Sequence, residues 1–350
     1  MKKRIIIAML MTATVIGAQA QKETLNPWGL VYDGALTENI AGEVNIRPVT
    51  YMVDGISVAA NVYLPKGYDA NKQYPAVVVS HPNGGVKEQV SGMFAQKLAE
   101  AGYVTIACDA RYQGQSGGLP RGNDIPFVRM GDIHGMIDFI SQFPGVDKER
   151  IGALGICGGG GYTVGAAQSD KRIKAVAALS MFNTGRVRRN GYCDSQIATI
   201  QERLAQASAA RQQETETGVT VYPPKAKPMT EEEIAKLPFE LYREGQFYYV
   251  TSKYAHANDG ASAPVSCLLD LMMWDATDRM EFINQPLLLM VGEKADSRYM
   301  SEEAMQKATG TADKELFVVP GASHIKTYYV PEYVEQERAK VVAFFDKYLK

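Results

Sequence analysis

The sequence predicts an α/β protein with a mostly parallel, twisted sheet flanked by helices. Six short apolar runs rich in β-branched residues have the composition of buried strands, and helix-like segments such as VSGMFAQKLAEAG and FVRMGDIHGMIDFISQF separate five of them. Strands that alternate with helices favour a parallel sheet covered on both faces. The six runs are PAVVVSH (75–81), YVTIACDA (103–110), RIGALGIC (150–157), IKAVAALS (173–180), PLLLMVGE (286–293) and ELFVVPG (315–321).

Two further strands precede this alternation. The stretch VNIRPVTYMVDGISVAANVYLP (44–65) carries Asp54-Gly55 at its centre, a dipeptide typical of tight hairpin turns. A hairpin therefore supplies the first two strands, and the six runs follow as the third to eighth strands.

A long segment interrupts the alternation between the sixth and seventh strands. Residues 183–285 have helical patterning and are too numerous for a simple connection. We interpret them as a helical cap inserted into a core formed by residues 21–182 and 286–350, where loops at the strand ends meet ligand. The alternative is an insertion that only covers hydrophobic surface. The cap's aromatic residues include Phe247, Tyr248, Tyr249, Tyr254 and Trp274.

The first 20 residues are typical of a signal peptide. Lys2, Lys3 and Arg4 precede an apolar run, and Ala18 and Ala20 form a small-x-small cleavage site. We expect an exported protein, periplasmic or secreted, cleaved after Ala20. No later segment reaches 18 uninterrupted apolar residues, so no membrane span is expected in the mature chain.

Charge and cysteine content exclude some partners. The formal net charge is −2 for the whole chain, and it becomes about −5 once the three basic side chains of residues 1–20 are removed, which argues against nucleic acid. Cys108, Cys157, Cys193 and Cys267 lack metal-ligand spacing. The sequence leaves open a disulfide between Cys193 and Cys267, and it does not predict the oligomeric state.

Cys157 lies where the fifth strand meets four consecutive glycines. A nucleophile held at a sharp strand-to-helix turn needs small neighbours two residues before and after it, and Gly155 and Gly159 satisfy this in GICGG. The following helix directs its N-terminal amides at the sulfur, which favours thiolate. The amide of Gly158 could stabilise an oxyanion.

Two alternatives compete for this turn. A dinucleotide-binding loop requires GxGxxG, and the glycines between 155 and 165 fit that spacing in no register. An inert buried cysteine is the stronger alternative, because free cysteine is commonly a core residue.

Two downstream residues favour a catalytic cysteine. Asp296 follows the seventh strand and His324 follows the eighth, which is the order nucleophile, acid, base expected of a triad at the carboxyl ends of strands. Asp275 and Asp278 remain alternatives for the acid. The other histidines, His81, His134 and His256, are interpreted as structural or surface residues.

With these motifs the sequence resembles the α/β-hydrolase superfamily, and within it the branch similar to dienelactone hydrolase and to the Xaa-Pro dipeptidyl-peptidase domain. The motifs SHPNGGVKEQ, DARYQGQSGG and GICGGGG occur in that order, and the likeness spans residues 44–182 and 286–350. The resemblance implies an α/β-hydrolase fold and a cysteine nucleophile in a GxCxG elbow.

The resemblance also assigns roles to two loops. For the loop HPNGG (81–85), the resemblance implies that a backbone amide of Asn83 or Gly84 completes the oxyanion hole beside the amide of Gly158. Asp109, Arg111 and Ser116 are expected to hold the loop after the fourth strand. Dienelactone hydrolase has a glutamate where Pro82 lies here, so control of the thiolate must differ.

We therefore expect a hydrolase that cleaves an ester, thioester or lactone through Cys157, His324 and Asp296, with a small-molecule acyl substrate and no metal or organic cofactor. The alternatives are an acyltransferase or peptidase on the same triad, and a non-catalytic binding protein on a degenerate hydrolase fold.

Overall fold

The computed structural model describes residues 26–224, 229–260 and 262–350. The signal peptide predicted for residues 1–20 lies outside this range. Eight strands form one sheet in the order β1-β2-β4-β3-β5-β6-β7-β8. The strands are β1 (Asn45–Val53), β2 (Ile56–Leu64), β3 (Tyr74–Ser80), β4 (Val104–Cys108), β5 (Val146–Ile156), β6 (Ile173–Leu179), β7 (Leu287–Gly292) and β8 (Lys314–Val319).

The predicted hairpin is confirmed. Strands β1 and β2 pair antiparallel with Val53 opposite Ile56, which leaves Asp54 and Gly55 as the turn. Both turn residues have positive φ, of 48° and 77°, as a two-residue hairpin of this hand requires. Strand β2 is also antiparallel to β4, and every pairing from β4 to β8 is parallel.

Helices cover both faces of the sheet. The helices of the described residues, of which α4 to α8 belong to the segment between β6 and β7, are α1 (Val90–Glu100), α2 (Pro126–Ile140), α3 (Gly158–Ser169), α4 (Thr184–Asn190), α5 (Ile200–Thr217), α6 (Glu231–Ala235), α7 (Glu240–Gln246), α8 (Leu268–Leu271), α9 (Arg298–Lys307) and α10 (Pro331–Leu349). Of the helices in the described ranges, none combines the length and the apolar character needed to cross a membrane.

Each face of the sheet has its own hydrophobic cluster. On β3, Val77 and Val79 pack into a cluster with α1 and α10, while Ala76 and Val78 pack into a second cluster with α2 and α3. Side chains of a strand alternate between faces, so a strand buried on both faces is apolar throughout. This is why β3 to β7 appear in the sequence as continuous apolar runs, whereas β8 lies at the edge of the sheet and is only partly buried.

The segment between β6 and β7 contains helices α4 to α8, as the sequence predicts. Its α7 continues into a wider turn at Phe247–Thr251, which is a single turn of π-helix. The segment is anchored to the loops after β7 and β8. Leu241 donates its N–H to the Asp296 carboxylate at 3.2 Å, and the Ser323 hydroxyl lies 2.8 Å from the Glu244 carboxylate.

Candidate active site

The turn after β5 places Cys157 at a sharp corner between strand and helix. Its φ of 54° is rare for a residue with a side chain. A Cβ atom on Gly155 would lie 2.3 Å from the Gly159 carbonyl oxygen, and one on Gly159 would lie 2.4 Å from the His81 carbonyl oxygen. Both flanking positions therefore require glycine, as the spacing of GICGG predicts.

The thiol of Cys157 is 9 % exposed and faces three hydrogen-bond donors. Burial raises its pKa, and hydrogen bonds from the Tyr328 hydroxyl and from the backbone N–H groups of Gly158 and Asn83 oppose that shift. Two backbone N–H groups converging beside a nucleophile are the donors that a developing oxyanion requires.

The loop after β3 is held in place from both sides. Asn83 donates its side-chain amide to the Thr184 hydroxyl at 2.8 Å, and Gly84, at φ 71°, accepts a hydrogen bond from the Gly260 N–H at 2.8 Å. Of the two residues expected to supply the second amide, Asn83 is the one whose N–H faces the sulfur. Beneath the loop, His81 accepts from the Ala110 N–H at 3.0 Å.

His324 is 1 % exposed, and both of its ring nitrogens have partners. Nδ1 lies 2.5 Å from the Ser297 hydroxyl, and Nε2 lies 2.9 Å from the Tyr328 hydroxyl. Burial lowers the pKa of His324 to about 4, although the negative charge of Asp296 acts in the opposite direction. The imidazole is therefore neutral at neutral pH, the state a general base needs.

The carboxylate of Asp296 lies near His324 but is hydrogen-bonded elsewhere. The Tyr192 hydroxyl donates to Oδ1 at 2.6 Å, and the Leu241 N–H donates to Oδ2. Ser297, the next residue along the chain, occupies the Nδ1 side of the imidazole instead.

The two alternative acids are not partners of His324. The carboxylate of Asp275 accepts from the Asn183 amide at 2.5 Å and from Arg189 at 2.9 Å. Asp278 is exposed. Among the acids considered from the sequence, only Asp296 acts on the charge of His324.

A cavity of about 500 Å³ opens onto the sulfur. The segment between β6 and β7 supplies most of its wall, and the wall is mainly apolar. Its lining residues are Asn83, Gly84, Cys157, Phe182, Val187, Arg188, Met229, Leu237, Leu241, Tyr242, Gly245, Gln246, Tyr249, Val250, Gly260 and Ile325.

The five aromatic residues singled out in the sequence divide between cavity and core. Tyr249 lines the cavity, whereas Tyr248 is 1 % exposed and stacks on Tyr254 with ring centroids 5.6 Å apart. Trp274 stacks on Tyr162 at 5.0 Å, and Phe247 is exposed. The rings of Tyr248 and Tyr249 are nearly perpendicular, at 85°.

The remaining cysteines and histidines lie outside the cavity. All four cysteines are free thiols, and the disulfide left open between Cys193 and Cys267 is absent because their sulfurs contact different partners, the Asp296 carbonyl oxygen and the Asn123 side chain. His134 lies on α2, and His256 accepts from the Asn258 N–H at 3.1 Å. No group of three or more His, Cys, Asp or Glu side chains in the described residues is arranged to hold a metal ion.

Tyr328 and Ser297 are site residues that no sequence motif indicated. Tyr328 follows His324 by four residues, about one helical turn, and this spacing is a signal that could have identified it. Ser297 directly follows the expected acid, and its contact with the imidazole depends on side-chain rotation that no sequence pattern records.

Comparison with known proteins agrees with this architecture. The α/β hydrolase GrgF from Penicillium has a TM-score of 0.69 at 20 % identity, covering 87 % of this chain and 99 % of that one, which shows the fold. The sequence is also 31 % identical over 157 residues to thiohydrolase aneE of Aspergillus aculeatus, covering 45 % of this chain and 48 % of that protein.

The hypothetical protein PA2218 of Pseudomonas aeruginosa is similar over a greater length. It is 39 % identical over 319 residues, covering 89 % of this chain and 82 % of that protein. Its crystal structure has a TM-score of 0.79 at 34 % identity, covering 92 % of this chain and 97 % of that one. The family model for X-Pro dipeptidyl-peptidase (S15 family) matches residues 54–265, more than half of the sequence. On that match, and with an α/β-hydrolase fold around its cavity, the chain belongs to the X-Pro dipeptidyl-peptidase (S15) family.

Proposed function

We propose that this hydrolase cleaves an ester, thioester or lactone, with Cys157 as the nucleophile that forms an acyl-enzyme. The observation that carries the proposal is the position of the sulfur. It lies on a strained turn, beside the N–H groups of Asn83 and Gly158, at the wall of an apolar cavity of about 500 Å³. An acyl group held in the cavity would place its carbonyl oxygen at these N–H groups.

The proton path of the proposed reaction runs through Tyr328. Its hydroxyl faces the Cys157 sulfur and lies 2.9 Å from Nε2 of His324. The thiol proton passes to the tyrosine oxygen while the tyrosine proton passes to Nε2, which gives thiolate, neutral tyrosine and imidazolium. The sulfur then attacks the carbonyl carbon, and the proton returns by the same path to the leaving group.

Asp296 and Ser297 support the imidazolium in different ways. The Asp296 carboxylate stabilises the positive charge across space, and its hydrogen bonds with Tyr192 and Leu241 hold it in position. The Ser297 hydroxyl holds Nδ1, so that Nε2 points to Tyr328. In the second half-reaction, water attacks the acyl-enzyme in place of the leaving group, and the carboxylic acid product is released from Cys157.

The cavity favours acyl compounds over the peptides suggested by the family name. A dipeptidyl-peptidase must bind a free α-ammonium group, and a buried ammonium requires a carboxylate or similar partner. The described residues that line the cavity include no carboxylate, and Arg188 is the sole charged residue among them. The thiohydrolase similarity further supports thioesters within the proposed class.

The proposal is tested with a panel of a 4-nitrophenyl ester, an aryl thioester, a lactone and an X-Pro anilide. We expect turnover of at least one acyl compound and none of the anilide. Cys157→Ala should abolish turnover while the protein remains folded, and Cys157→Ser should retain only residual activity. Cys267→Ala is the matched control, because this thiol is also buried but faces Asn123.

Intact-protein mass spectrometry then identifies the intermediate. A slow ester should leave an acyl adduct on Cys157, and competing alcohols should not capture most of the acyl group if water is the true acceptor. A folded Cys157→Ala variant with wild-type turnover would contradict the nucleophile. Cysteine-dependent cleavage of the anilide alone would contradict the acyl substrate class, and capture by alcohols would identify an acyltransferase.

A further inference from the structure

Among the described residues that line the active-site cavity, one side chain is cationic, that of Arg188. Arg188 lies near the end of α4, is exposed, and lines the cavity that contains Cys157. Burial raises the pKa of Tyr242, another lining residue, and the positive charge of Arg188 opposes this shift. The rest of the described lining is neutral.

The neighbouring arginines of α4 differ from Arg188 in having carboxylate partners. Arg186 pairs with Asp194 at 2.6 Å, and Arg189 pairs with Asp275 at 2.9 Å. Within the described residues, the guanidinium of Arg188 has no carboxylate in ion-pair distance. Its backbone is nevertheless fixed, because Arg203 donates to its carbonyl oxygen.

Arg188 also lines a second cavity, of about 440 Å³, beside the first. The two cavities share Arg188 with Asn83, Gly84 and Gly260, so the arginine stands where they meet, next to the loop that faces the Cys157 sulfur. The rest of the second wall includes Pro223, Ser262, Pro264 and Leu268, and Arg188 is again the one charged residue among the described lining.

We propose that Arg188 binds a carboxylate carried by the substrate, so that the preferred substrate is a carboxylate-bearing ester or thioester with an apolar body. This inference rests on the proposed hydrolase function and names its substrate class. A guanidinium without a carboxylate partner, in a cavity whose other described lining residues are neutral, matches one monoanionic carboxylate, which it can hold with two parallel N–H···O bonds. A phosphate dianion would keep one of its two negative charges without a cationic partner, because Arg188 is the one cation among the described wall residues.

The test compares matched pairs of esters that differ in one charge. On the acyl side, the pair is 4-nitrophenyl hydrogen adipate and 4-nitrophenyl hexanoate. On the leaving-group side, it is 4-carboxyphenyl butyrate and 4-methylphenyl butyrate. After correction for the spontaneous rate of each ester, we expect the wild-type enzyme to prefer the carboxylate-bearing member of at least one pair in kcat/KM, chiefly through a lower KM.

Removing the cation should remove this preference. In Arg188→Gln, the ratio of kcat/KM between carboxylate and neutral esters should fall about tenfold or more, and 0.5 M NaCl should reduce the wild-type ratio because salt screens exposed charges. Arg188→Glu should reverse the preference toward 4-nitrophenyl 6-aminohexanoate. Arg211→Gln on α5 makes the same change of charge at an exposed residue outside both cavities and should leave the ratio unchanged.

The inference is overturned if the wild-type enzyme shows no preference in either pair, or if Arg188→Gln lowers both members of a pair by the same factor. This failure is distinguishable from failure of the proposed function. If the neutral esters are cleaved in a Cys157-dependent way without charge preference, the hydrolase proposal stands and only the role of Arg188 is lost. If Cys157→Ala cleaves the whole panel normally, the hydrolase mechanism itself fails.

Discussion

The hydroxyl of Tyr328 lies 2.9 Å from Nε2 of His324, on the side of the imidazole that faces Cys157. This nitrogen is therefore hydrogen-bonded to a phenol that also acts on the sulfur, where it lowers the pKa of the thiol. A buried phenol between a thiol and a neutral imidazole can pass a proton without itself becoming charged. This arrangement makes Tyr328 the first target for mutation.

Tyr328→Phe should lower kcat/KM for an activated ester by about 100-fold, because it removes the hydroxyl from the proton path. The variant should also raise the thiol pKa, since the hydrogen bond from Tyr328 lowers it. Alkylation of the Cys157 peptide by iodoacetamide, followed by mass spectrometry across pH, measures this shift. Tyr333→Phe is the control, because that hydroxyl donates to the Gly321 carbonyl oxygen instead. Unchanged turnover and alkylation in a folded Tyr328→Phe variant would show that the phenol lies off the proton path.

The pH dependence of kcat/KM should follow the depressed pKa of His324. An ordinary histidine, with a pKa near 6.5, would be about 90 % protonated at pH 5.5, whereas burial lowers the pKa of His324 to about 4 and keeps it neutral there. Activity should thus persist at pH 5.5 and decline as the pH falls through about 4, measured in the range where fluorescence shows the protein folded. An acid limb centred near 6.5 would refute this assignment.

Asp296→Asn should move that acid limb to still lower pH. The negative charge of Asp296 raises the pKa of His324 against the effect of burial, so its removal favours the neutral imidazole further. The same substitution should lower the maximal rate, because the imidazolium formed during the reaction loses its counter-charge. Asp278→Asn changes an exposed carboxylate and serves as the control. A limb that stays in place would mean that Asp296 does not act on His324.

Tyr248 and Tyr249 should respond differently to substitution by alanine. Tyr249 lines the cavity, so its loss should alter the ranking of esters with different acyl chains. Tyr248 is 1 % exposed among other aromatic rings, so its loss should destabilise the fold by roughly 3–5 kcal/mol. Kinetic comparison of an ester series and thermal melting measure the two effects. A changed ranking in Tyr248→Ala at unchanged melting temperature would reverse the assignment.

The mature protein should begin at Gln21, because Ala18 and Ala20 occupy the positions that signal peptidase reads. Intact mass measurement of protein recovered from outside the inner membrane tests this. Substituting Ala20 by a bulky residue should block processing, while the same change at Ala101, far from the amino terminus in the sequence, should not. A mature chain that retains residues 1–20 would show that the segment is an anchor.

Strands β3 to β7 could be predicted because the apolar run of each is buried on both faces of the sheet. Val77 and Val78 point to opposite clusters, so neither could be polar, and the apolar run at 75–81 marks the strand. The turn at Cys157 could be predicted because its geometry excludes side chains at Gly155 and Gly159. In both places a local steric or burial requirement acts on consecutive residues, and such requirements leave a pattern in the sequence.

Contacts between distant residues left no such pattern. That Ser297 rather than Asp296 bonds to Nδ1 of His324 depends on how the loop after β7 turns its side chains. The separation of Tyr248 from Tyr249 depends on the π-helical turn at Phe247–Thr251, which no propensity of these residues indicates. The position of Arg188 between two cavities follows from the packing of the whole segment between β6 and β7.

The segment between β6 and β7 holds the Asp296 carboxylate in place and also shapes the cavity. Both donors to the Asp296 carboxylate, the Tyr192 hydroxyl and the Leu241 N–H, come from it. A chimera that received this segment from a relative would have new substrate contacts and also new hydrogen-bond donors to the Asp296 carboxylate. Selectivity and reactivity are therefore not separately exchangeable in this molecule. A redesign of the cavity has to keep the Tyr192 hydroxyl and the position of the Leu241 N–H, or to supply other donors to the Asp296 carboxylate.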